Sequence, residues 1–318
     1  MRIPRYSGRS RGGLGALGGR LPIIVFVIGG LALYWFTNQK EGLVGGRKQM
    51  ITMDLPAEVR LGQEAYMQIL QSEPVLCGGQ AETCPVEAGE IVELVKEVGG
   101  RIAGAAREWE AEGAPMTVLG ESEGTLPRWG ALADKFDWEF NVIASDTPNA
   151  FCLPGGKVAI YTGILPTADN VDGLAVIMGH EIGHALARHG AERMSQQQLM
   201  QFGQMAIGAT VGDMSLEMQR LVMGAMGAGA QVGVLLPFSR AHESEADLIG
   251  LELLVRACYD PREAPKLWER MGALGGGENP PDILSTHPNP AQRATAFEAV
   301  MPQAIKAYEA RCGTLPAG

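Results

Sequence analysis

The sequence predicts an α+β fold that is predominantly helical, with a small β-sheet beside one central helix. Several long segments carry apolar residues at helical spacing, whereas strand-like pieces are confined to residues 116–163. A His-Glu-x-x-His pattern follows directly, on a segment that should be helical. With 318 residues and 46% hydrophobic content, the chain is long enough for one large globular domain.

The charge distribution separates the first twenty residues from the rest of the chain. These residues contain no acidic side chain but five arginines, namely Arg2, Arg5, Arg9, Arg11 and Arg20. The whole chain has a net charge of −10, so the remaining residues carry −15. A body this acidic repels polyanions, and we therefore expect no nucleic acid partner.

Residues 21–37 form an uncharged apolar run that ends in three aromatic residues, Tyr34, Trp35 and Phe36. The length of the run and its aromatic end favour an uncleaved transmembrane signal anchor. A cleaved signal peptide and a mitochondrial transit sequence are the alternatives.

The expected domain boundaries follow from this anchor. Residues 1–20 would be a basic cytoplasmic N-terminus, because positive charge marks the cytoplasmic side of a membrane helix. Residues 21–37 would be the anchor and residues 38–55 a linker. Residues 56–318 would then form the folded domain on the far side of the membrane.

The five cysteines fit an oxidising location. The spacing allows Cys77 to pair with Cys84 and Cys258 with Cys312, which leaves Cys152 single. No two cysteines have Cys-x-x-Cys spacing, so a zinc–thiolate site is not indicated.

Scaffold elements precede the central helix. Helical periodicity is expected over residues 56–72 and 85–109, and strands over residues 116–119 and 138–143. Residues 149–163 form a predicted hairpin around a Pro-Gly-Gly turn. One strand of this hairpin could present an open edge to an extended peptide. An ordinary core hairpin is the alternative.

The central helix is expected over residues 170–188. At 3.6 residues per turn, His180 and His184 lie on one face about one turn apart, so both imidazoles can reach one ion. The carboxylate of Glu181 lies about 100° round the helix, where it can take a proton from a metal-bound water. The two glycines of the motif should leave room for the ion and a substrate. This spacing predicts a zinc peptidase site.

The segment after this helix is rich in Met, Gly and Ala. Residues 195–236 are expected to form two helical arms that break at Gly212 and Asp213. A buried helical hairpin is favoured, and a membrane-embedded one is the alternative.

The third protein ligand distinguishes classes of zinc peptidase. The pattern with a third histidine at position 190 is excluded, since this residue is Gly190 and His189 lies one residue out of register. A second helix, expected from Ser239 to about Arg256, offers Glu243 instead.

Three neighbours of Glu243 are distinguished by their position on this helix. Asp247 shares its face and should accept a hydrogen bond from the outer ring nitrogen of a ligand histidine. Glu245 points away and should be solvated. His242 is a rival ligand, but it lies off this face and should be at the surface.

The motifs HEIGH, SRAHESEAD and, from Ser285, STHP occur in this order. Together with the NAF-LPGG, ARHGAERMS and THPNPAQR segments, this set resembles the gluzincin zinc metallopeptidases of the Ste, HtpX and Oma type. The likeness extends from about Met50 to Ala299. A single predicted membrane helix places it with the single-anchor or periplasmic branch of that family.

The resemblance implies a zincin-like metallopeptidase domain with one zinc ion per chain. The ion would be held by His180, His184 and Glu243, with Glu181 as the catalytic base. Asp247 would lie behind the metal ligands.

The resemblance also places His287 and Arg293 at the site, from the C-terminal segment. His287 follows a loop rich in glycine and proline, which should be mobile. We expect this histidine either to stabilise the oxyanion or to occupy the fourth zinc position at rest and swing out for substrate.

The expected function is a membrane-anchored endopeptidase that cleaves misfolded or unassembled envelope proteins by glutamate-assisted attack of zinc-bound water. It would work at the bacterial inner membrane with its domain on the periplasmic side, or at the mitochondrial inner membrane. Its partners would be polypeptide substrates, the membrane and, in an assembly, further copies or envelope proteins. The alternative is a metal-retaining, chaperone-like binding module gated by the His287 loop.

Overall fold

The computed structural model describes residues 21–42, 47–78, 84–120, 131–211, 240–275 and 282–316. The chain divides into two compact units, one made of Met1–Gln39 with Arg193–Leu236, the other of Lys40–Glu192 with Pro237–Gly318. Three predicted features lie outside the described residues: the basic N-terminus, the break at positions 212 and 213, and the loop over residues 276–281.

The elements are mostly helices. In chain order these are α1 (Leu21–Thr37), α2 (Leu55–Ser72), α3 (Val86–Glu112), α4 (Leu132–Lys135), α5 (Leu165–Ala168), α6 (Val171–Leu186), α7 (His189–Val211), α8 (Arg240–Arg256), α9 (Glu263–Leu274), α10 (Asp282–Thr286) and α11 (Pro290–Cys312). The strands are β1 (Gln39–Glu41), β2 (Lys48–Met50), β3 (Glu139–Ile143), β4 (Ala150–Leu153) and β5 (Lys157–Tyr161). The predominantly helical α+β fold is confirmed.

In the smaller unit, the apolar run at residues 21–37 forms helix α1 with the predicted bounds. None of the helices within the described ranges is long and apolar enough to cross a membrane. The transmembrane span predicted over residues 21–37 is therefore not found.

In the larger unit, the described residues of the expected linker, 40–42 and 47–55, include two short strands and several buried side chains. Strands β1 and β2 pair with each other. Met50 and Ile51 are almost completely buried. Asp54 then caps helix α2, because its side chain accepts a hydrogen bond from the amide of Ala57 at 2.9 Å. The larger unit thus begins at Lys40.

The three-stranded sheet has the order β3-β5-β4, so β4 lies at an edge. Strand β5 is parallel to β3 and antiparallel to β4, which confirms the predicted hairpin. Helix α2 supports it from behind, since the hydroxyl of Tyr66 donates to the carbonyl of Val158 at 2.8 Å. Helix α3 packs on β3 where Gly99 faces the ring of Phe140.

The strand predicted at residues 116–119 is wrong. Residues Thr117–Leu119 form one turn of 3₁₀ helix. The carboxylate of Glu252 on α8 accepts hydrogen bonds from the Thr117 hydroxyl at 2.9 Å and from the Val118 amide at 3.1 Å. A buried side chain therefore satisfies this backbone in place of a neighbouring strand.

Helices α6 and α8 cross at very short distance. A side chain at Gly250 would come within 3.0 Å of the backbone of Gly179 and His180, and one at Gly183 within 2.9 Å of the Ala246 carbonyl. The expectation that Gly179 and Gly183 leave room for an ion and a substrate is wrong. They face the backbone of α8, and this contact brings its side chains to the central helix.

Both disulfides allowed by the spacing form. Cys77 pairs with Cys84, and Cys258 at the end of α8 pairs with Cys312 at the end of α11. Cys152 is the free cysteine.

Candidate metal and catalytic centre

The central helix α6 brings the two motif histidines together. Asn170 caps the helix by accepting a hydrogen bond from the amide of Gly173 at 2.8 Å. The Nε2 atoms of His180 and His184 lie 3.0 Å apart, and both rings are buried. Each imidazole therefore presents one nitrogen to the same point.

Helix α8 adds a carboxylate to this pair. Glu243 places Oε2 3.5 Å from Nε2 of His180 and Oε1 3.4 Å from Nε2 of His184. Burial opposes the ionisation of Glu243, but hydrogen bonds from the histidines hold the pKa of its carboxyl below the usual range. The carboxylate is therefore charged.

These three side chains fit a zinc ion. Donor atoms at about 2.0–2.1 Å from a tetrahedral zinc ion lie about 3.3 Å from one another, and the pairs above are 3.0–3.5 Å apart. Burial, assisted by the charge of His180, lowers the pKa of His184 to about 3. A neutral imidazole has the lone pair that a metal needs.

The outer nitrogen of His180 is held by an acidic and a basic side chain. Oδ1 of Asp247 lies 3.1 Å from Nδ1 of His180. Arg293 donates from Nε to Asp247 at 2.8 Å and from Nη1 to Glu243 at 2.7 Å. Its guanidinium lies on the ring of Trp268, 3.2 Å from the centroid. Nη2 of Arg293 also lies 2.8 Å from Nδ1 of His180 on α6, so Arg293 joins α11 to both candidate ligand helices.

His287 lies inside the cluster. Its Nδ1 is 3.1 Å from Nε2 of His180 and 3.1 Å from Oε2 of Glu243. The four donors, from His180, His184, Glu243 and His287, lie within 4.8 Å of one another. On the other side of the ring, Nε2 of His287 is 3.5 Å from Oε1 of Glu181. The C-terminal segment thus places a fourth nitrogen at the metal centre.

Glu181 borders a cleft beside the cluster. The cavity measures about 280 Å³, and its lining includes Glu181, His184, His287 and the edge strand β4. Burial raises the pKa of Glu181 above its ordinary value. A carboxylate with a raised pKa accepts and returns a proton more readily near neutral pH.

Two expectations for the α8 motif are wrong. Glu245 is 4% exposed and His242 is 5% exposed, although both were expected in solvent. Glu245 bonds to Arg47 at 2.7 Å, and His242 lies 2.9 Å from Glu192 at the start of α7. The helical wheel of α8 alone gave no sign of this second packing face, because its partners come from other parts of the chain.

Two residues of this second face were missed as parts of the site. Nδ1 of His189 lies 2.8 Å from Nδ1 of His184, although the sequence had only excluded His189 as a third ligand. Arg47 reaches the same region from the segment before β2. The ARHGAER motif could have indicated that His189 belongs to the site. No comparable sequence pattern marks Arg47, a single arginine in the expected linker.

The comparisons with known proteins agree with this geometry. Residues 125–301 match the model of peptidase family M48. The mitochondrial metalloendopeptidase OMA1 of Schizosaccharomyces pombe is 32% identical over 281 residues, 87% of this chain and 71% of the relative. OMA1 of Saccharomyces cerevisiae is 29% identical over 90% of this chain and 76% of its own length. The β-barrel assembly-enhancing protease of Escherichia coli is 33% identical over half of this chain and a third of its own.

The family match covers more than half of the chain and includes α6, α8 and the segment that carries His287 and Arg293. The resemblance read from the motifs is confirmed. The chain belongs to peptidase family M48, a family of zinc-dependent metallopeptidases.

Proposed function

We propose that the chain is an endopeptidase in which His180, His184 and Glu243 hold one zinc ion and Glu181 is the catalytic base. The observation that carries this proposal is the convergence of three donors from two helices, at zinc-like separations, on a cleft that Glu181 borders. When bound there, zinc acts as a Lewis acid that activates water and polarises a carbonyl.

The protein's own groups supply the proton transfers. Glu181 accepts a proton from the attacking water and delivers it to the leaving amine, so the same carboxyl serves first as base and then as acid. Asp247 and Arg293 hold His180 and Glu243 in place and touch no substrate.

The substrate is an extended segment of polypeptide. Strand β4 is at the edge of its sheet and also lines the cleft. A substrate that pairs with this edge would have its backbone fixed by main-chain hydrogen bonds. Such recognition depends little on side chains and suits misfolded or unassembled proteins of the cell envelope, which we propose as the substrate class.

His287 has a gating role in this proposal. In the present arrangement it supplies the fourth donor of the cluster, which is the position a substrate carbonyl or water needs in a catalytic zinc site. Of the two roles expected for His287, this arrangement favours the resting fourth donor, which would have to move away before turnover.

The four-donor arrangement also favours a second candidate, a metal-retaining binding module that rarely turns over. Substitution Glu181→Gln separates the two, since it keeps every donor of the cluster and removes the base. If the chain is an endopeptidase, Glu181→Gln should cleave an unfolded protein such as casein more slowly, by a factor of about 10² or more. Its zinc content and its binding of casein should stay unchanged.

Metal content supplies the control. Glu243→Ala should lower zinc per chain well below that of the wild type and abolish cleavage, because it removes a charged donor. Equal casein cleavage by wild type and Glu181→Gln would exclude Glu181 as the catalytic base, and no cleavage by either protein would argue against the endopeptidase. Full zinc occupancy in Glu243→Ala would show that Glu243 is not a zinc ligand.

Cellular location belongs to the same proposal. The sequence favoured the bacterial inner membrane with a periplasmic domain, and the relatives named mitochondrial support the mitochondrial inner membrane. Fractionation of cells that express the full chain decides between them, and cross-linking there identifies homo-oligomers or assembly partners.

A further inference from the structure

A second cluster of buried polar side chains lies directly behind the metal ligand His184. We call it the His189 network and define it as His189, Glu245, Arg47, Glu192 and His242. His189 is completely buried, and the two glutamates and His242 are at most 5% exposed. The side chain of Arg47 is 20% exposed. Burying the other four polar side chains together is costly unless their hydrogen bonds are satisfied.

The contacts of His189 fix which nitrogens carry protons. Oε2 of Glu245 lies 3.1 Å from Nε2 of His189, and a carboxylate only accepts, so this nitrogen donates. In an imidazole whose proton is on Nε2, the other nitrogen, Nδ1, has the lone pair, and Nδ1 is the atom that faces His184.

The same reasoning extends to His184. Its Nδ1 is 2.8 Å from Nδ1 of His189 and has to donate, since His189 presents an acceptor there. The proton of neutral His184 is then on Nδ1, and Nε2 keeps its lone pair. Nε2 is the atom that faces His180 and Glu243. This set of donors and acceptors thus leaves the lone pair of His184 on Nε2, where it can bind a metal.

Arg47 holds Glu245, the last acceptor in this series of hydrogen bonds, in place. Its Nε donates to Glu245 at 2.7 Å, and its Nη1 donates to Glu192 at 2.8 Å. A third contact, 2.9 Å from Nη2 to the side-chain oxygen of Gln49, fixes the guanidinium itself. Two buried carboxylates share this cation, so its loss would remove one charge partner from each of them.

We propose that His189, Glu245 and Arg47 form a positioning relay that holds His184 in the tautomer whose Nε2 binds the metal. Arg47 thereby makes the segment just before β2 part of the metal centre. These residues touch neither substrate nor the ion, and they act through His184 alone. The inference rests on the zinc site proposed above.

The tautomers can be read in the unchanged protein. The full chain has only five histidines, so ¹⁵N-histidine labelling gives a small set of ring nitrogens, assigned with single substitutions. In the metal-free protein, we expect a protonated Nδ1 on His184 and a protonated Nε2 on His189. A proton on Nδ1 of His189 would overturn the relay, regardless of the zinc affinities of the variants.

Zinc affinity tests the consequence. Competition with a chelator should show zinc bound about 10- to 100-fold more weakly by Glu245→Gln and His189→Leu, as for other groups that orient a metal-ligating histidine. Arg47→Met should weaken zinc binding in the same direction, and Arg47→Lys should recover part of the loss because it restores the charge.

The matched control is Arg256→Met. Arg256 is also a buried guanidinium bound to glutamates, at 2.6 Å from Glu252, but it lies thirteen residues along α8 from Glu243, about 20 Å away. The Arg256→Met variant should be less stable than the wild type and bind zinc with wild-type affinity. Wild-type affinity in both Glu245→Gln and His189→Leu would overturn the proposal. A wild type that binds no zinc would instead refute the proposed function.

Discussion

At the scale of single residues, the centre depends on which side chains are charged. Glu243 is ionised, His184 is neutral, and both states result from burial among specific neighbours. Asp247 is likewise ionised, since burial is outweighed by the charge of Arg293 and the pKa of the aspartate falls. The donor set is therefore prepared before a metal arrives.

The stability of the metal-free protein should depend on pH because of His184. Its pKa is about 3 in the folded state against 6.5 for an ordinary histidine. Below pH 6.5 the unfolded chain takes up a proton that the folded chain refuses until about pH 3. The free energy of unfolding should therefore fall as pH falls through this window, by at most about 1.4 kcal/mol per pH unit.

Urea denaturation of chelator-treated protein at several pH values measures this slope. His184→Phe is the comparison, because it removes the titrating group. It should reduce the slope by up to the contribution of one proton, about 1.4 kcal/mol per pH unit. A wild type whose stability is constant or rises on acidification would contradict the prediction.

The sequence predicted the candidate metal ligands because their spacing is dictated by the chemistry. Two histidines one turn apart and a glutamate on a second helix are visible without tertiary structure. Glu245 and His242 were misplaced for the opposite reason. Their partners, Arg47 and Glu192, come from distant segments, and no local pattern reports such a contact.

At the scale of elements, the contact between α6 and α8 decides whether the ligands meet. Gly179 and Gly183 on α6 and Gly250 on α8 let the two backbones approach closely. This approach places Glu243 beside the histidines. Periodicity predicted both helices with accurate bounds, but not the role of the glycines, since the distance between helices is absent from a single segment's pattern.

Substitution Gly250→Ala tests this contact. The new Cβ would lie 3.0 Å from backbone atoms of Gly179 and His180, so the helices have to separate, at a cost of about 1–3 kcal/mol. We expect a lower free energy of unfolding together with weaker zinc binding, because Glu243 moves with α8.

The control is Gly100→Ala in α3, where a Cβ would meet no atom within 4 Å. It should stabilise the protein by about 0.5–1 kcal/mol through helix propensity and leave zinc affinity unchanged. Unaltered zinc affinity and stability in Gly250→Ala would show that the close approach is not needed.

At the scale of the whole molecule, the larger unit is closed by contacts between distant parts of the sequence. Arg293 on α11 binds residues of α6 and α8. The disulfide between Cys258 and Cys312 ties the ends of α8 and α11 together, 54 residues apart. The sequence suggested this pairing from spacing alone, and it stabilises the arrangement that carries Arg293.

Removing this disulfide should destabilise the larger unit. Closing a loop of 54 residues restricts the unfolded chain by about 4 kcal/mol at most. The double variant Cys258→Ala/Cys312→Ala should therefore lose up to this amount in urea denaturation. Cys152→Ala, which removes the free thiol, should lose much less. An equal loss in both variants would argue against a specific contribution of the cross-link.

The position of His287 and Arg293 late in the chain has a consequence for biosynthesis. Ribosomes deliver the N-terminal part first, so a growing chain exposes the HEIGH helix and then Glu243 long before α10 and α11 emerge. During this interval two parts of the centre are missing. One is Arg293, which contacts His180 and Glu243, and the other is the ring nitrogen of His287. A chain made in this order acquires the contacts of Arg293 and the fourth donor, His287, only near the end of translation.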